Sequence, residues 1–595
     1  MVFFSLEFRV FVKKAKEMGE LRTAFSKRFR EKVYPDPAYP EIQKAIARGR
    51  EEFKEKYCGK FFPWDIGGTI FIPIGGKNYK TRNPSDRNIT IGTFPVYEEG
   101  DVNTHGTLWD LLSRVREAGL NFAETVPWRK RARLLLEISK VVEERFWLLV
   151  AAKQYETGQS IMEAIGETDE EVDFPLAAAM YLEEIHEDLI LPSPKFAGDY
   201  NGKRYVPHGV FLNVCPFNFP GAIPMDMACK ALAMGNAIIE KSSNKSSLCG
   251  YLVYESIIEA FKRVGIPSEG VVNYAPGGPD VVDLLLSSPD IAGVSFTGSS
   301  EALRHIKTKH GTKLRNGYCG RAPLVFGSAE TSGVNIAVVW RDADVEHAAK
   351  ECLKSFIGRQ GQKCSSVRVI MAHKNIKQSF ISALIREFGH VRYGDPLADA
   401  DVGPLITLEA EDRVRKTIRN LLEKGVINEV IGQDCSRPKN ADDLFPGILR
   451  ASSMVFQNKK KARQLMNTEI FGPVTTVVTV SSIDDVQWLS RQSDFALTGT
   501  SFTRNADISI ALSKIIPAGN LYFNRKCTGA LVETECFGGL RSASSPSGIK
   551  GKQALALFGS MPVISGFYDS SWDAKERKRF IGRMESELGF VFSKT

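Results

Sequence analysis

The sequence predicts an α/β protein built on doubly wound parallel sheets, and three observations predict it. Strand-like and helix-like segments alternate from residue 205 onward, a second such series runs from Asn335 to residue 510, and long 3.6-residue periodicities fill the first third. Taken in order, residues 1–60 are charged and helical in pattern, and 61–96 carry glycines between short β-like runs such as GGTIFIPIGG. Residues 107–190 hold amphipathic helices, clearest in WRKRARLLLEISKVVEERFWLLVAAKQYE. The alternation then reads strand YVPHGVFLNV, helix GAIPMDMACKALAMG, strand AIIEK, helix SLCGYLVYESIIEAFKRVG, strand VVNYA, helix DVVDLLLSS, strand IAGVSF and a helix from Ser299. Parallel strands buried on both faces need apolar runs joined by crossover helices, which is this pattern. These shifts divide the chain into an N-terminal helical extension (1–60), a first α/β domain (61–328), a second (329–530) and a C-terminal return segment with a tail (531–595).

At 595 residues, 43% hydrophobic and 25% charged, the composition is that of an ordinary globular protein. The formal charge of +8 arises from 78 basic and 70 acidic residues, and the basic clusters WRKRAR, NKKKAR and KERKRF are scattered. They read as solvated helix faces, so no nucleic-acid partner is expected. Ten cysteines include no C-x-x-C pair and eight histidines no H-E-x-x-H, so neither a metal site nor a disulfide framework is expected. The opening MVFFSLEFRVFVKK is broken by Glu7 and Arg9 and fits a secretory signal poorly. A cytoplasmic setting is expected; the alternative, a mitochondrial leader, has Glu17 and Glu20 against it. The absence of any apolar run of membrane-spanning length excludes a transmembrane segment.

In doubly wound sheets, ligands bind beyond the carboxyl ends of strands, where loops meet helix N-termini. The loop CPFNFPGAIP (215–224) presents Asn218 between two aromatics, where its amide can donate to a developing oxyanion or serve as a turn asparagine. SFTGSSE (295–301) has small residues that admit a phosphate or a ring, or a helix cap at Thr297 or Ser299. APGGPDVV (275–282) lacks G-x-G-x-x-G, so a dinucleotide must be held in another way. Lys241 closes the strand AIIEK, in reach of a ribose or phosphate or simply of solvent. Finally, FIGRQGQKCSSVRVIMAH places Cys364 at the mouth of a strand, as a nucleophile or as one more packed thiol.

In order and approximate spacing, CPFNFPGAIP, AIIEKSS, SFTGSSE, AETSGVN, GQKCSS and TEIFGPV resemble the motifs of the aldehyde dehydrogenase superfamily. IGGKNYKTRNPSD (74–86), the Gly-Gln-Lys-Cys-Ser loop and GNLYFNRKCTGALV (519–532) are most similar to its 1-pyrroline-5-carboxylate, or glutamate semialdehyde, dehydrogenase branch. The resemblance covers residues 35–568 and leaves the first ~35 and last ~25 as terminal extensions.

The resemblance implies an α/β fold with a doubly wound cofactor-binding domain (61–328), a catalytic domain (329–530) and a small oligomerisation hairpin near 196–209, hence a homo-oligomer. It implies oxidation of L-glutamate 5-semialdehyde to glutamate in proline degradation, with a small aldehyde as the partner and no membrane. Cys364 would be the nucleophile, forming a thiohemiacetal and then a thioester; Glu330 would activate the hydrolytic water, and Asn218 with the Cys364 backbone NH would form the oxyanion hole. A depressed thiol pKa is expected of such a cysteine, making Cys364 the most reactive of the ten. Phe217, Lys241, Gly278, Ser299, Glu469 and Phe471 would contact the cofactor, with Glu469 accepting from the nicotinamide-side ribose hydroxyls. NAD is implied, with NADP the alternative, because Asn244 neither repels nor clearly binds a 2′-phosphate. Ser365, Lys550 and Gly551 would form the substrate end.

Two departures stand out. The family's Glu-x-Gly-Gly-Lys reads Glu330-Thr331-Ser332-Gly333-Val334, and the usual substrate-anchoring loop is replaced by SASSPSGIKGKQALALF (542–558), with Lys550 in place of a glycine. Another semialdehyde, such as succinic semialdehyde, is therefore the alternative substrate, and a non-catalytic relative is the third reading.

Overall fold

The computed structural model describes residues 34–73, 75–98, 102–187, 199–432, 447–451, 456–544, 550–567, 572–588 and 591–592. Most of the expected N-terminal extension lies outside them; its described part is the helix Pro40–Lys56, which buries Ala45, Ile46, Gly49 and Phe53.

Two seven-stranded sheets organise the molecule. The first contains β1 (Trp64–Ile66), β2 (Thr69–Phe71), β3 (Val210–Val214), β4 (Ala237–Lys241), β5 (Val272–Tyr274), β6 (Ile291–Thr297) and β7 (Val325–Glu330) in the order β7-β6-β3-β4-β5-β1-β2. The strands β7 to β5 are parallel, and β1 and β2 add an antiparallel edge. Every residue of β3, β4 and β6 is buried, which is why these strands read as continuous apolar runs. The parallel part of the sheet starts at β3, winds outward through β4 and β5, then returns to lay β6 and β7 on the other side. The topological switch point therefore lies between β3 and β6. Register aligns the carboxyl ends: Lys241 pairs with Val214, Val214 with Phe296, and Thr297 with Glu330.

The second sheet contains β8 (Asn335–Val339), β9 (Val367–His373), β10 (Ile427–Gly432), β11 (Gly447–Ala451), β12 (Val474–Val480), β13 (Thr498–Phe502) and β14 (Asn520–Phe523), in the order β10-β11-β12-β9-β8-β13-β14. All pairs but β10–β11 are parallel. Residues 331–334 carry the chain directly from the end of β7 to the start of β8.

The helices Trp128–Glu144, Phe146–Thr157 and Ile161–Glu187 share one apolar core with Ala222–Ala233 and Ser247–Val264, against one face of the first sheet. One residue of the WRKRAR cluster departs from the solvated-face reading. Arg131 is buried and donates to the carbonyls of Ala233 (2.8 Å) and Val126 (2.7 Å), satisfying the end of the helix it faces.

Residues 196–198 of the expected hairpin fall outside the described residues. The strand Asp199–Lys203 that follows pairs antiparallel with Val563–Phe567 on one side and Val591–Phe592 on the other, so its partners come from the C-terminal segment. No helix among the described residues is long and apolar enough to cross a membrane, and among them no group of three or more His, Cys, Asp or Glu side chains is arranged to hold a metal ion.

Candidate active site

The loop that carries Cys364 is held at several points before that residue is reached. The helix Val345–Ile357 ends in a turn in which Arg359 (φ 51°) and Gln360 (φ 55°) adopt left-handed backbone, a conformation that costs a non-glycine residue on the order of 1 kcal/mol. Buried bonds offset that cost. Arg359 pairs with Glu167 (2.6 Å) and Glu163 (3.2 Å), lies 3.7 Å over the Phe219 ring and donates to the Asn218 carbonyl. Gly361, at φ 69°, backs onto Gly472 so closely that a Cβ would lie 2.0 Å from its carbonyl oxygen.

Beyond the turn, Asn335 at the start of β8 donates to the carbonyls of Cys364 (2.6 Å) and Ser366 (2.8 Å) and accepts from Thr498 N (2.9 Å). Arg368 donates to the carbonyls of Gly472 (2.8 Å), Lys363 (3.1 Å) and Gly361. The Asn218 side chain donates to the Gln362 carbonyl at 2.9 Å, so its amide lies against the same loop. Asn335, Arg368, Arg359, Glu163 and Glu167 carried no assigned role in the sequence. Their signals were a polar residue opening an apolar strand, a charge inside VRVIMAH, and acids spaced i, i+4 on one helix.

Cys364, Ser365 and Glu330 line one cavity of about 440 Å³, which Lys550 and Gly551 also reach. Glu330 ends β7, is 2% exposed, and among the described residues its Oε1 has no hydrogen-bond partner. Burial holds its carboxyl above the usual range, and the Lys550 ammonium partly opposes this. The expectation of a depressed thiol pKa is corrected: burial, then the Glu330 and Glu469 carboxylates, push the Cys364 thiol up to about 12. The shift favours the protonated thiol, so Cys364 could act as a nucleophile only with a base to take its proton.

The loops beyond the switch point present the other sequence-selected residues. Phe217 meets Phe471 edge to face with centroids 6.1 Å apart. Glu469 is half-buried, accepts from Gly333 N at 3.0 Å and is held above its usual pKa by desolvation. The Lys241 ammonium is buried without a partner among the described residues, and burial lowers its pKa to about 8. Gly278 precedes the helix Pro279–Ser287 as its N-cap. Ser299 caps Ser300–His310 by accepting from Ala302 N at 3.2 Å, which is the capping alternative realised. An ammonium, a carboxylate and an aromatic edge are the side-chain types that suit the phosphates, ribose hydroxyls and ring of a dinucleotide.

At the opposite end, Lys550 does not point to solvent. Its Nζ lies 3.8 Å from Asp226 Oδ2 and 4.9 Å from the Phe174 ring centroid. Gly551 has φ 110°, and a Cβ there would meet Cys536 Sγ at 2.9 Å, so both backbone and space require glycine.

Residues 75–558 match the model of the aldehyde dehydrogenase family. This chain belongs to the aldehyde dehydrogenase family. Among its relatives, the 1-pyrroline-5-carboxylate dehydrogenase of Bacillus mycoides is 30% identical over 519 residues, covering 84% of this chain and 92% of that protein. That of Staphylococcus saprophyticus is 26% identical, covering 89% and 98%. Of solved structures, an arginine-to-alanine mutant of 1-pyrroline-5-carboxylate dehydrogenase from Thermus thermophilus superposes with a TM-score of 0.81 at 26% identity, covering 91% of this chain and 99% of that one. A Thermus 1-pyrroline-5-carboxylate dehydrogenase with bound NAD gives 0.80, at 26% identity and the same coverage. The altered aldehyde dehydrogenase motif after Glu330 keeps the glycine that packing demands: a Cβ on Gly333 would lie 2.2 Å from the Cys364 carbonyl oxygen.

Proposed function

We propose that this chain oxidises L-glutamate 5-semialdehyde, the open form of 1-pyrroline-5-carboxylate, to glutamate with NAD, in the breakdown of proline. The observation that carries the proposal is the convergence of Cys364, Ser365, Glu330, Lys550 and Gly551 on one cavity. The names of the relatives and the NAD bound to the Thermus protein support the choice of substrate and cofactor.

In this mechanism Cys364 Sγ, once deprotonated, adds to the aldehyde carbon. The oxygen that gains charge is met by the Asn218 amide and the Cys364 backbone NH. NAD, when bound, supplies the hydride acceptor. Lys241 and Glu469 would hold its ribose and phosphate groups, Phe217 and Phe471 would contact its ring, and Gly278 and Ser299 would meet it at the two helix starts. A thioester then remains on Cys364, and Glu330 takes a proton from the water that hydrolyses it, a task suited to a carboxylate whose pKa is raised. Ser365, Lys550 and Gly551 receive the substrate's carboxylate.

The domain roles follow the sheets, with the first sheet binding cofactor and the second carrying the nucleophile. The protein works in the cytoplasm as a homo-oligomer assembled through the Asp199–Lys203 sheet. NADP as cofactor and succinic semialdehyde as substrate are the alternatives that Asn244 and Lys550 keep open.

The test is kcat/KM for glutamate semialdehyde, succinic semialdehyde and simple aldehydes with each cofactor. Glutamate semialdehyde with NAD should be preferred, succinic semialdehyde should follow closely because Lys550 answers any terminal carboxylate, and Cys364→Ala should oxidise neither while still binding NAD. Turnover by Cys364→Ala near the parent rate, or no turnover of any aldehyde by the parent, would overturn the proposal.

A further inference from the structure

The cavity holds a charged cluster that the mechanism above uses only as a substrate contact. Lys550 Nζ lies 3.8 Å from Asp226 Oδ2, and the same oxygen lies 2.8 Å from Lys230 Nζ; all three side chains are largely buried. Two ammonium groups thus share one carboxylate on the cavity wall, and Lys550 is the farther of the two from it. Its position is fixed. The Lys550 ammonium stands 4.9 Å from the Phe174 ring centroid and 5.9 Å from that of Phe537, and the Lys550 backbone NH donates to the Phe537 carbonyl at 2.7 Å.

The groups facing the thiol balance the other way. Glu330 and Glu469 oppose ionisation of Cys364, while Lys550 and Arg368 favour it. The Arg368 guanidinium is occupied by three backbone carbonyls and by the field of Glu469. Lys550 itself is faced by Asp226, Glu330, Glu170 and Cys364, with Lys230 competing for Asp226. Of Lys550 and Arg368, Lys550 is the one that lines the same cavity as Cys364, and its contact to Asp226, at 3.8 Å, is a loose one.

We propose that Lys550, braced by Asp226 and the rings of Phe174 and Phe537, is a positioning residue for the nucleophile. Its ammonium offsets the charge that develops on Cys364 Sγ as the proton passes to Glu330. In that step the S–H bond breaks, an O–H bond forms on the Glu330 carboxylate, and the electron pair stays on sulfur. The inference rests on Cys364 being the nucleophile, and is tested without substrate so that the two can fail separately.

The experiment is the pH dependence of alkylation of Cys364 by iodoacetamide, an uncharged reagent, in the full chain, followed by mass spectrometry of the peptide carrying Cys364. Removing one nearby unit charge should move the profile by about one pKa unit, so Lys550→Met should alkylate about tenfold more slowly at pH 8. Lys550→Arg should recover most of the rate. Asp226→Asn, which frees the ammonium from its partner, should shift the profile the opposite way and speed alkylation, with the circular dichroism spectrum and NAD binding unchanged from the parent's, whereas unfolding would expose the thiol and lose both. Profiles for Lys550→Met and Asp226→Asn that superpose on the parent's, with only KM for the semialdehyde raised, would overturn the inference and leave Lys550 as a substrate ligand alone. Failure of the parent to oxidise any aldehyde would overturn the proposed function instead, whatever the alkylation profile.

Discussion

Gly333→Ala isolates the packing that sets the segment after Glu330 against the Cys364 loop. A Cβ at this position would lie 2.2 Å from the Cys364 carbonyl oxygen and 3.1 Å from Asn335 Nδ2, whereas ordinary contact begins at 3.4 Å. The new methyl therefore lacks about 1 Å of room, and close-packed interiors yield little. The carbonyl cannot retreat freely, because Asn335 Nδ2 holds it at 2.6 Å. Either that bond lengthens, at a cost of about 1 kcal/mol, or the Cys364 loop moves as a unit. Misplacing a reacting group by about 1 Å lowers a rate by about 10²-fold. The expected outcome is a kcat about a hundredfold below the parent's, with NAD affinity reduced because Gly333 N also donates to Glu469. Steady-state kinetics with glutamate semialdehyde and a fluorescence titration with NAD measure both. A folded Gly333→Ala protein with kcat within about threefold of the parent's would show that the loop has slack, and would refute the inference that this glycine sets the distance.

Glu330→Gln should give a burst of reduced cofactor equal to one turnover and then stall as the thioester if its main task is hydrolysis; loss of the burst as well would show that Glu330 also takes the thiol proton. Because its carboxyl is held above the usual range, the parent's rate should rise with pH through values higher than an exposed glutamate would give. Lys241 gives the opposite sign. Its pKa is lowered to about 8, so the ammonium is present below that pH and lost above it; NAD affinity should fall as pH rises through 8, and Lys241→Met should bind weakly with a flat profile. A parent affinity that does not vary between pH 7 and 9 would assign Lys241 a purely structural place.

The legible parts of the fold were those where burial on both faces leaves an unbroken apolar run. AIIEK is β4 from end to end, and IAGVSF differs from β6 by one residue. Less legible was anything set by partners far along the chain. The glycine-spaced segment near residue 70 yields β1 and β2, whose place at the edge beside β5 depends on strands some two hundred residues on. Asp199–Lys203 likewise meets Val563–Phe567. At the site, residues whose chemistry is intrinsic to the side chain, such as Cys364 and Glu330, were selected from sequence motifs, and the structure places them on one cavity. Residues acting through the backbone of another segment were not: Asn335 stood inside a quoted motif with no role, because its two carbonyl partners lie about thirty residues away. The thiol pKa was misjudged for a related reason, since two carboxylates from β7 and the segment before β12 face the sulfur only after folding.

The adjacency of these groups follows from one short connection. Parallel strands of one sheet need a crossover of a dozen or more residues between them, yet β7 and β8 are joined by residues 331–334 alone, which forces β8 to open a new sheet where β7 ends. The carboxyl end of the first sheet thereby abuts the amino end of the second. Since β9, β12 and β13 run parallel to β8 or to its neighbour β9, the segments entering them all open toward the first sheet's switch point. Cys364 precedes β9, Glu469 precedes β12, and Thr498, which begins β13, donates its NH to Asn335. Ligands of doubly wound sheets are expected beyond carboxyl ends. Here that rule describes Lys241, Phe217 and Ser299, which follow or end strands of the first sheet, whereas Cys364 stands at the opposite, amino end of a strand of the second. A thiol at that junction sits among carboxylates from both sheets, Glu330 from one and Glu469 from the other, so the geometry that brings base to nucleophile also suppresses its ionisation. Lys550, on the wall of the cavity that Cys364 and Glu330 also line, brings a cation to this junction where the family's pattern has glycine.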